Sequence, residues 1–391
     1  MKIRAPEKKY NFWFRNGHVI DPRSGVDRIQ DVLVRNSRIV PIPEDGVNPG
    51  DVAEIVDCTG MYVFPGLINF HAHYGWTGNS GGLNPAIYEL PNGVTAVCDA
   101  GSTGSSTFEG FCKNGMMGAD VTMRAFLNVA AGGLTTGRYI ENIDPDNYDV
   151  RAMEYIFEMY RDYIVGLKVR IGKDINDGMG LLPLLETRKL AEKFQVPLAL
   201  HATWPLEPMQ EIIPQLRCGD ILCHTFQEKG PHNILDENGR IRPEVWEGRK
   251  RGVIFDCAHG RIHFSYRVAR RAIEQGFLPD VISTDAISVS VYRDKLFNLP
   301  MVMSRCCALG MPLYEVVRAC TQTPARLMDL DGYIGTLQSG ALADICVMKK
   351  DERMLTLTDT YGEEQQAEFL LIPQMTLRAG RIMYRTTGFT F

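Results

Sequence analysis

The chain has 391 residues, 45% of them hydrophobic and 23% charged, and its formal net charge is −5 at pH 7. This is the composition of a globular protein, and the lack of a long basic run argues against a nucleic-acid partner. No apolar stretch approaches the roughly 18 residues of a bilayer-spanning helix, so we expect no membrane partner. The N-terminus lacks the apolar core of a secretory signal, and the ten cysteines include no C-x-x-C pair, so we expect reduced thiols and a cytoplasmic location.

Short strands are predicted at both ends of the chain. Residues 9–60 contain NFWFRNGHVI, DVLVRNSRIV and AEIVDCTG, each bounded by Asn, Gly, Pro or Asp. The far end is similar, with ADICVMK and AEFLLIPQMTLRAGRIMYRT. Two strand-rich ends around a different middle predict one small β-sandwich domain, formed by residues 1–60 together with residues 335–391.

The middle, residues 61–334, alternates between apolar strand candidates and helical segments. The eight strand candidates are MYVFPGLINFHAH, GVTAVCDA, VTMRAFLNVA, YIVGLKVRI, VPLALHA, GDILCHT, GVIFDCAHG and DVISTDA. Between them, segments such as LLPLLETRKLAEKF have apolar residues at helical spacing. A doubly wound open sheet would share this local pattern, but eight units with polar residues at the strand ends favour an α/β fold of the (β/α)₈ TIM-barrel type.

Four of the eight histidines follow apolar strand candidates. His71 and His73 stand in NFHAHYG, and residues two apart on a strand share a face, so both imidazoles can point to one spot. His201 ends VPLALHA and His224 ends GDILCHT. Each could be a hydrogen-bonded loop histidine, but imidazole is a good zinc ligand and the strand ends of a barrel converge at its active face.

Two further residues extend this set. Asp285 ends the last strand candidate, where a carboxylate serves either as a helix N-cap or as a metal ligand that also moves a proton. Lys168 lies inside the apolar strand IVGLKVRI, where an ammonium group is costly to bury. It is either paired with a barrel carboxylate or converted by carbon dioxide into an anionic carbamate that can bridge two metals. The same register places Arg170 on the face of Lys168.

These residues occur in a recognisable order. DCTGMYVFPGLINFHAH resembles the segment with which the amidohydrolase superfamily enters its first barrel strand, and GLKVR, LALHA, DILCHT and ISTDA follow as expected. PARLMDLDGYIGTLQSGALADICVMKKD resembles the usual exit into the β-domain. The stretches DAGSTGSSTFEGF, LRCGDILCHTFQ and GVIFDCAHGRIHFSYRVARRAIEQGFLPDVISTD are similar to the predicted amidohydrolase and deacetylase branch, which is related to dihydroorotase-like binuclear hydrolases.

The resemblance implies two divalent metal ions, zinc first among the candidates, and a set of ligands. One metal would be held by His71, His73 and Asp285, the other by His201 and His224, with N6-carboxylated Lys168 bridging both. His259, in DCAHG, resembles a substrate-facing residue. Arg170, His259 and Arg261 are the candidates for binding a substrate carboxylate, although Arg261 could equally be a surface residue.

Some features depart from neighbouring families. Dihydroorotases and hydantoinases usually follow the last aspartate with a His-Ala-Pro type stretch, whereas this chain continues Ala286-Ile287-Ser288. Deaminase branches typically carry H-x-x-E after the fifth strand, and here Trp204 takes the place of the glutamate.

The expected activity is hydrolysis of an ester or amide in a small molecule, such as removal of an acetyl group from an acylated hydroxy or amino acid. A hydroxide bridging the metals would attack the carbonyl, with Asp285 as general base and acid. The residual positive charge of the site would suit an anionic substrate. The alternatives are a mononuclear zinc deaminase of a heterocycle, using His71, His73, His201 and Asp285, and a non-catalytic barrel. The resemblance also implies a homo-oligomer.

Overall fold

Strands from both ends of the chain form two sheets in this computed structural model, which describes residues 8–79, 81–135, 140–292 and 298–389. The first sheet has the order β5-β4-β1-β6 and consists of β1 (Tyr10–Arg15), β4 (Val32–Arg35), β5 (Arg38–Val40) and β6 (Val52–Asp57). The second has the order β17-β16-β15-β7-β2-β3 and consists of β2 (His18–Asp21), β3 (Val26–Ile29), β7 (Met61–Pro65), β15 (Ile345–Thr358), β16 (Glu364–Arg378) and β17 (Arg381–Arg385). Phe14 and Val34 of the first sheet and Val63 and Val347 of the second belong to one buried apolar cluster, so the sheets pack as a small sandwich.

The barrel follows directly from β7. Its seven regular strands are parallel, and each pairs with its neighbours in chain order: β8 (Leu67–Ala72), β9 (Val94–Asp99), β10 (Thr122–Asn128), β11 (Ile164–Arg170), β12 (Leu198–His201), β13 (Ile221–Cys223) and β14 (Ile254–Phe255). These strands are buried almost throughout, as parallel strands covered by helices should be.

Residues 281–286 supply the eighth member of the barrel. On one side, the Cys257 amide donates to the Val281 carbonyl at 2.9 Å. On the other side, the Asp285 amide donates to the His71 carbonyl at 2.6 Å, and the His73 amide donates to the Ala286 carbonyl at 3.0 Å. The last strand candidate therefore closes the barrel between β14 and β8, and the predicted (β/α)₈ barrel with a terminal β-sandwich is confirmed.

Helices lie between the strands and after the barrel. In chain order they are α1 (Pro85–Tyr88), α2 (Phe108–Phe111), α3 (Val150–Tyr160), α4 (Leu182–Phe194), α5 (Met209–Ile212), α6 (Pro243–Arg251), α7 (Tyr266–Glu274), α8 (Ser288–Tyr292), α9 (Leu299–Ala308), α10 (Leu313–Cys320) and α11 (Gln322–Leu327). In α7, Val268 and Ala272 are buried while Arg267 and Arg271 are exposed, the pattern of an amphipathic helix on a sheet. Within the described residues, no helix has the length and apolar character needed to cross a bilayer.

The long hairpin of β15 and β16 connects the sandwich to the barrel face that carries the site. At its turn, Asp359 Oδ2 accepts a hydrogen bond from the Tyr266 amide at 2.7 Å. Thr360 Oγ1 donates to the Phe264 carbonyl at 2.9 Å. The hairpin thus holds the loop that follows β14, the segment in which His259 and His263 stand.

Candidate metal centre

The expected metal ligands meet at the carboxyl ends of the barrel strands. His71 lies in β8, His201 ends β12, His224 directly follows β13, and Asp285 lies in the segment that closes the barrel against β8. All four imidazoles of the predicted set are buried, and the Asp285 side chain is nearly so. Because the carboxyl ends of parallel strands converge, residues up to 214 positions apart in the chain share one small space.

Fixed hydrogen bonds orient three of the imidazoles. His71 Nδ1 lies 2.8 Å from Asp256 Oδ2, and a carboxylate can only accept, so this nitrogen carries the proton. His224 Nδ1 donates in the same way to the Ala258 carbonyl at 2.8 Å. His73 Nδ1 lies 2.9 Å from Ser102 Oγ, whose own proton goes to Asp99 at 2.7 Å. In each ring Nε2 therefore faces the centre of the site, where a cation can replace any proton that it carries, as in metal-binding histidines.

One group of donors contains His71, His73 and Asp285. Asp285 Oδ1 lies 3.3 Å from His73 Nε2 and 3.7 Å from His71 Nε2. The donor atoms of these three residues lie within 4.8 Å of one another, a spacing that a single cation can span. Two imidazoles and one carboxylate are a common zinc ligand set.

A second group contains His201, His224 and an additional residue, His263. His201 Nδ1 lies 2.8 Å from His224 Nε2, and the donor atoms of all three residues are within 4.8 Å of one another. The groups adjoin at Asp285, whose Oδ2 lies 3.6 Å from His263 Nε2.

Lys168 lies within the barrel beside the first group. Its side chain is only 2% exposed, and its Nζ lies 3.5 Å from His71 Nε2 and 3.4 Å from Cys223 Sγ. In the part of the chain that the structure describes, no carboxylate lies within ion-pair distance of this nitrogen. Gly101 makes room for the lysine stem, because a Cβ at that residue would lie 2.7 Å from the Cβ and Cγ of Lys168.

The protonation states of the site suit cation binding. Burial, followed by nearby positive charges, holds the pKa values of His201 and His224 well below 6.5, so both rings are neutral. Burial alone would raise the pKa of Asp285, but the hydrogen bond from His73 and the surrounding imidazoles hold it well below 3.8. Burial and Lys168 oppose protonation of His71, yet Cys223 and Asp256 raise its pKa to about 9, so a cation would replace a proton there.

The backbone is strained where the site is formed. His224, Ala258 and Asp285 have φ values of 57°, 36° and 48°, in the left-handed region that residues with a side chain rarely adopt. Each such residue costs about 1–3 kcal/mol and persists only where its surroundings hold it, which is typical of functional sites.

The residues expected to bind substrate lie in different environments. Arg170 Nη1 lies 2.6 Å from Glu141 Oε2, and Arg170 Nη2 lies 3.4 Å from Asp174 Oδ2, so its charge is already paired. His259 is fully buried and stacks on Phe264 with ring centres 4.5 Å apart. Arg261 is exposed on the same loop. Their expected roles in substrate binding stay a prediction.

Two surfaces flank the donor groups. Beside Ser102, a pocket of about 230 Å³ is lined by hydroxyl and amide groups such as those of Thr103, Thr107 and Asn79, and its described lining residues are all uncharged. In the loops that follow β11 and β13, the Nζ atoms of Lys173 and Lys229 lie 4.7 and 4.8 Å from the centre of the Trp204 ring. Neither lysine forms a salt bridge with any described residue, and cation–π contacts leave their charges in place.

Comparison with known proteins decides the family. A profile described as Amidohydrolase family matches residues 62–381. The chain belongs to the amidohydrolase family. A deacetylase of Brucella anthropi is 30% identical to this amidohydrolase over 351 residues, which cover 89% of this chain and 86% of the relative. A deacetylase of Agrobacterium fabrum is 30% identical over 328 residues, which cover 83% and 79%.

Solved structures agree with this family. One described as an adenine deaminase superposes with a TM-score of 0.86 at 25% identity, covering 96% of this chain and all of that one. One described as a dihydroorotase gives 0.85 at 27% identity, covering 96% and 98%. This amidohydrolase is therefore a metal-dependent hydrolase, and the predicted family and enzyme class are confirmed.

A buried carboxyl group, that of Glu89, is connected by hydrogen bonds to the segment that carries Asp285. Glu89 Oε1 accepts hydrogen bonds from Tyr74 Oη and, at 2.8 Å, from Asn69 Nδ2. Asn69 Nδ2 also lies 2.7 Å from Thr284 Oγ1, next to Asp285. Burial raises the pKa of Glu89 from 4.5 to about 7, although the bonds from Tyr74 and Asn69 lower it.

Glu89 should make the folded chain less stable as the pH rises. The pKa of Glu89 is higher in the folded than in the unfolded chain, so the folded state binds this proton more tightly. The stabilisation that the proton contributes is fully present below about pH 4.5 and is lost by about pH 7.5. From about pH 5 to about pH 7.5, urea denaturation should show the free energy of unfolding falling by up to about 3 kcal/mol more in the wild type than in Glu89→Gln. Glu44→Gln, an exposed control, should follow the wild type; parallel curves for wild type and Glu89→Gln would contradict the expectation.

Proposed function

We propose that this amidohydrolase holds two divalent cations, zinc first among the candidates, and hydrolyses the acyl ester or amide of a small molecule. The observation that carries the proposal is the convergence of the Nε2 atoms of His71, His73 and His224 on a carboxylate, with the Lys168 nitrogen beside them. Without a cation, a proton on His71, whose pKa is raised to about 9, has to take the place of positive charge between these nitrogens and the carboxylate.

Lys168 fits this centre as a carbamate. The ammonium group first loses one proton to solvent, the neutral nitrogen then attacks carbon dioxide to form a C–N bond, and a second proton passes from this nitrogen to solvent. The ammonium group, which would be costly to keep beside cations, becomes an anion with two oxygen donors. The proposal is supported by the burial of Lys168 and by the absence of a carboxylate partner within the described residues.

Different residues of the chain would carry out different parts of the reaction. Bound cations would polarise the substrate carbonyl and lower the pKa of water. The Asp285 carboxylate, ionised at neutral pH, accepts the proton of the attacking water and returns it to the departing alkoxide or amine. Asp256 and Ser102 keep His71 and His73 in the tautomer that leaves Nε2 available.

The pocket beside Ser102 and the pair of lysines, Lys173 and Lys229, suggest which chemical groups the substrate carries. The uncharged pocket beside Ser102 suits an acyl group such as acetyl. Lys173 and Lys229 suit an anionic leaving part, and the Trp204 ring, which both lysines contact, suits an apolar contact. A deacetylase of an acylated hydroxy or amino acid would combine both features, and the two relatives named deacetylase support this choice.

The test is a substrate screen with chelator-stripped protein reconstituted with zinc. We expect acid release from acyl esters or N-acyl amino acids, with a lower KM for anionic compounds than for neutral ones of equal size. The main alternative is deamination of a heterocycle by one cation, favoured by the adenine deaminase likeness. Ammonia release from heterocycles, at one zinc per chain and without any acyl hydrolysis, would establish that alternative instead.

A further inference from the structure

His263 is a fifth imidazole at the site, close to Asp285 and beyond the six ligands expected from the sequence. Its ring centre lies 4.1 Å from that of His224 and 5.2 Å from that of His201. Its side chain is 13% exposed, so the ring lines the site rather than the outer surface. It belongs to the loop after β14, which the β15–β16 hairpin holds in place through Phe264.

The orientation of His263 leaves one nitrogen facing the reacting centre. Nδ1 is bonded to Thr203 Oγ1 at 3.0 Å, and Thr203 itself lies two residues after His201. Nε2 points the other way and lies 3.6 Å from Asp285 Oδ2. When Nδ1 donates its proton to Thr203 Oγ1, Nε2 is left with a lone pair directed into the site.

Gly260 permits the close approach of His263 to Asp285, because it has no side chain. A Cβ at residue 260 would lie 2.5 Å from His263 Cδ2 and 2.6 Å from Asp285 Oδ2. Its φ of 54° is also a conformation that a side chain disfavours. The loop is thus shaped to bring His263 against the carboxylate and the second donor group.

We propose that His263 Nε2 is a third nitrogen ligand of the cation held by His201 and His224. This inference rests on the proposed function of the site as a binuclear centre. A second site with three imidazoles would bind zinc or cobalt more tightly than one with two, and it would favour these borderline ions over the harder magnesium and manganese.

The test measures cation affinity rather than turnover. Wild type and His263→Ala are titrated with cobalt(II) against a competing chelator, and the visible absorption of cobalt reports ligand number and geometry. We expect wild type to bind two cations, and His263→Ala to lose roughly 100-fold or more in affinity for one of them, with a changed cobalt spectrum. His263→Gln, which keeps the bulk of the side chain, should lose a similar amount.

Two controls keep the result interpretable. Thr203→Val removes only the anchor of Nδ1, and it should weaken the same cation by about tenfold. His18→Ala removes an exposed histidine of the sandwich, paired with Asp27, and it should change neither affinity nor spectrum. Thermal melting of the loaded variants checks that each one folds.

Several outcomes would overturn the inference. Two cations bound to His263→Ala with wild-type affinity and spectrum would exclude a ligand role, even if turnover fell. If wild type binds a single cation, the two-cation proposal fails by itself. The His263 ligand role then survives only if that one cation is lost in His263→Ala, and fails if it is kept.

Discussion

Asp285→Asn is expected to lower kcat on the acyl substrate by about 10³-fold at saturating cation, because asparagine fills the same space but cannot accept a proton. The structure gives this carboxylate a central place: Oδ1 faces His73 and His71, and Oδ2 faces His263. KM should change little if the acyl group binds in the pocket beside Ser102. The measurement is initial-rate kinetics with zinc content determined on the same sample.

Two companion variants separate proton transfer from cation binding. Asp256→Asn leaves Asp285 intact but weakens the hydrogen bond that orients His71, so it should lower cation affinity by about 10- to 100-fold, and saturating zinc should restore most of kcat. Asp27→Asn, on the surface of the sandwich, should change neither quantity. If fully loaded Asp285→Asn keeps a tenth or more of wild-type kcat, Asp285 is not the proton acceptor.

The parts of the site that could be predicted from sequence are those fixed by local pattern. Apolar runs of strand length mark the barrel strands, and a polar residue at the end of such a run must lie at the barrel mouth. His71 and His73 also share a face because strand side chains alternate. His201 and His224 follow from the same argument, and the structure brings all four rings together.

His263 and Asp256 were missed because their roles depend on contacts made across the barrel. Asp256 stands in the apolar run GVIFDCAHG, and nothing local indicates that its carboxylate meets His71, which is 185 residues away. His263 lies inside a loop, where no periodicity fixes its direction. One signal was available: the chain has only eight histidines, and His263 stands four residues after His259.

Arg170 shows the limit of register arguments. Alternation along β11 places it on the face of Lys168, but its charge is paired with Glu141, which lies in the connection after β10. A free substrate contact and an internal ion pair look the same in the sequence, because the partner comes from a loop whose path the sequence does not specify.

Lys168→Ala is expected to lower kcat/KM on the acyl substrate by about 10³-fold or more, because the centre loses the group that is proposed to join its cations. Zinc content should fall from two per chain to one or fewer. The change also leaves a cavity beside His71 and Cys223, where the lysine stem had packed against Gly101.

A short carboxylic acid should partly restore this variant. Formate, acetate or propionate can enter the cavity and offer two oxygens where the carbamate had stood, so added acid should raise both zinc content and activity in Lys168→Ala. Lys168→Met is the matched control, because its unbranched side chain fills the same space, carries no nitrogen and leaves no room for the acid. It should be as inactive as Lys168→Ala, and it should not respond to added acid.

The carbamate itself can be observed without turnover. Wild type loaded in ¹³C-labelled bicarbonate should show one carbamate carbon resonance per chain, and this resonance should be absent from Lys168→Met. Zinc uptake by stripped wild type should also rise with bicarbonate concentration, because the ligand must form before both cations are held. Two tightly bound zinc ions in Lys168→Met, with wild-type turnover, would show that the lysine is only structural. One zinc ion, with activity indifferent to residue 168, would instead favour the mononuclear deaminase.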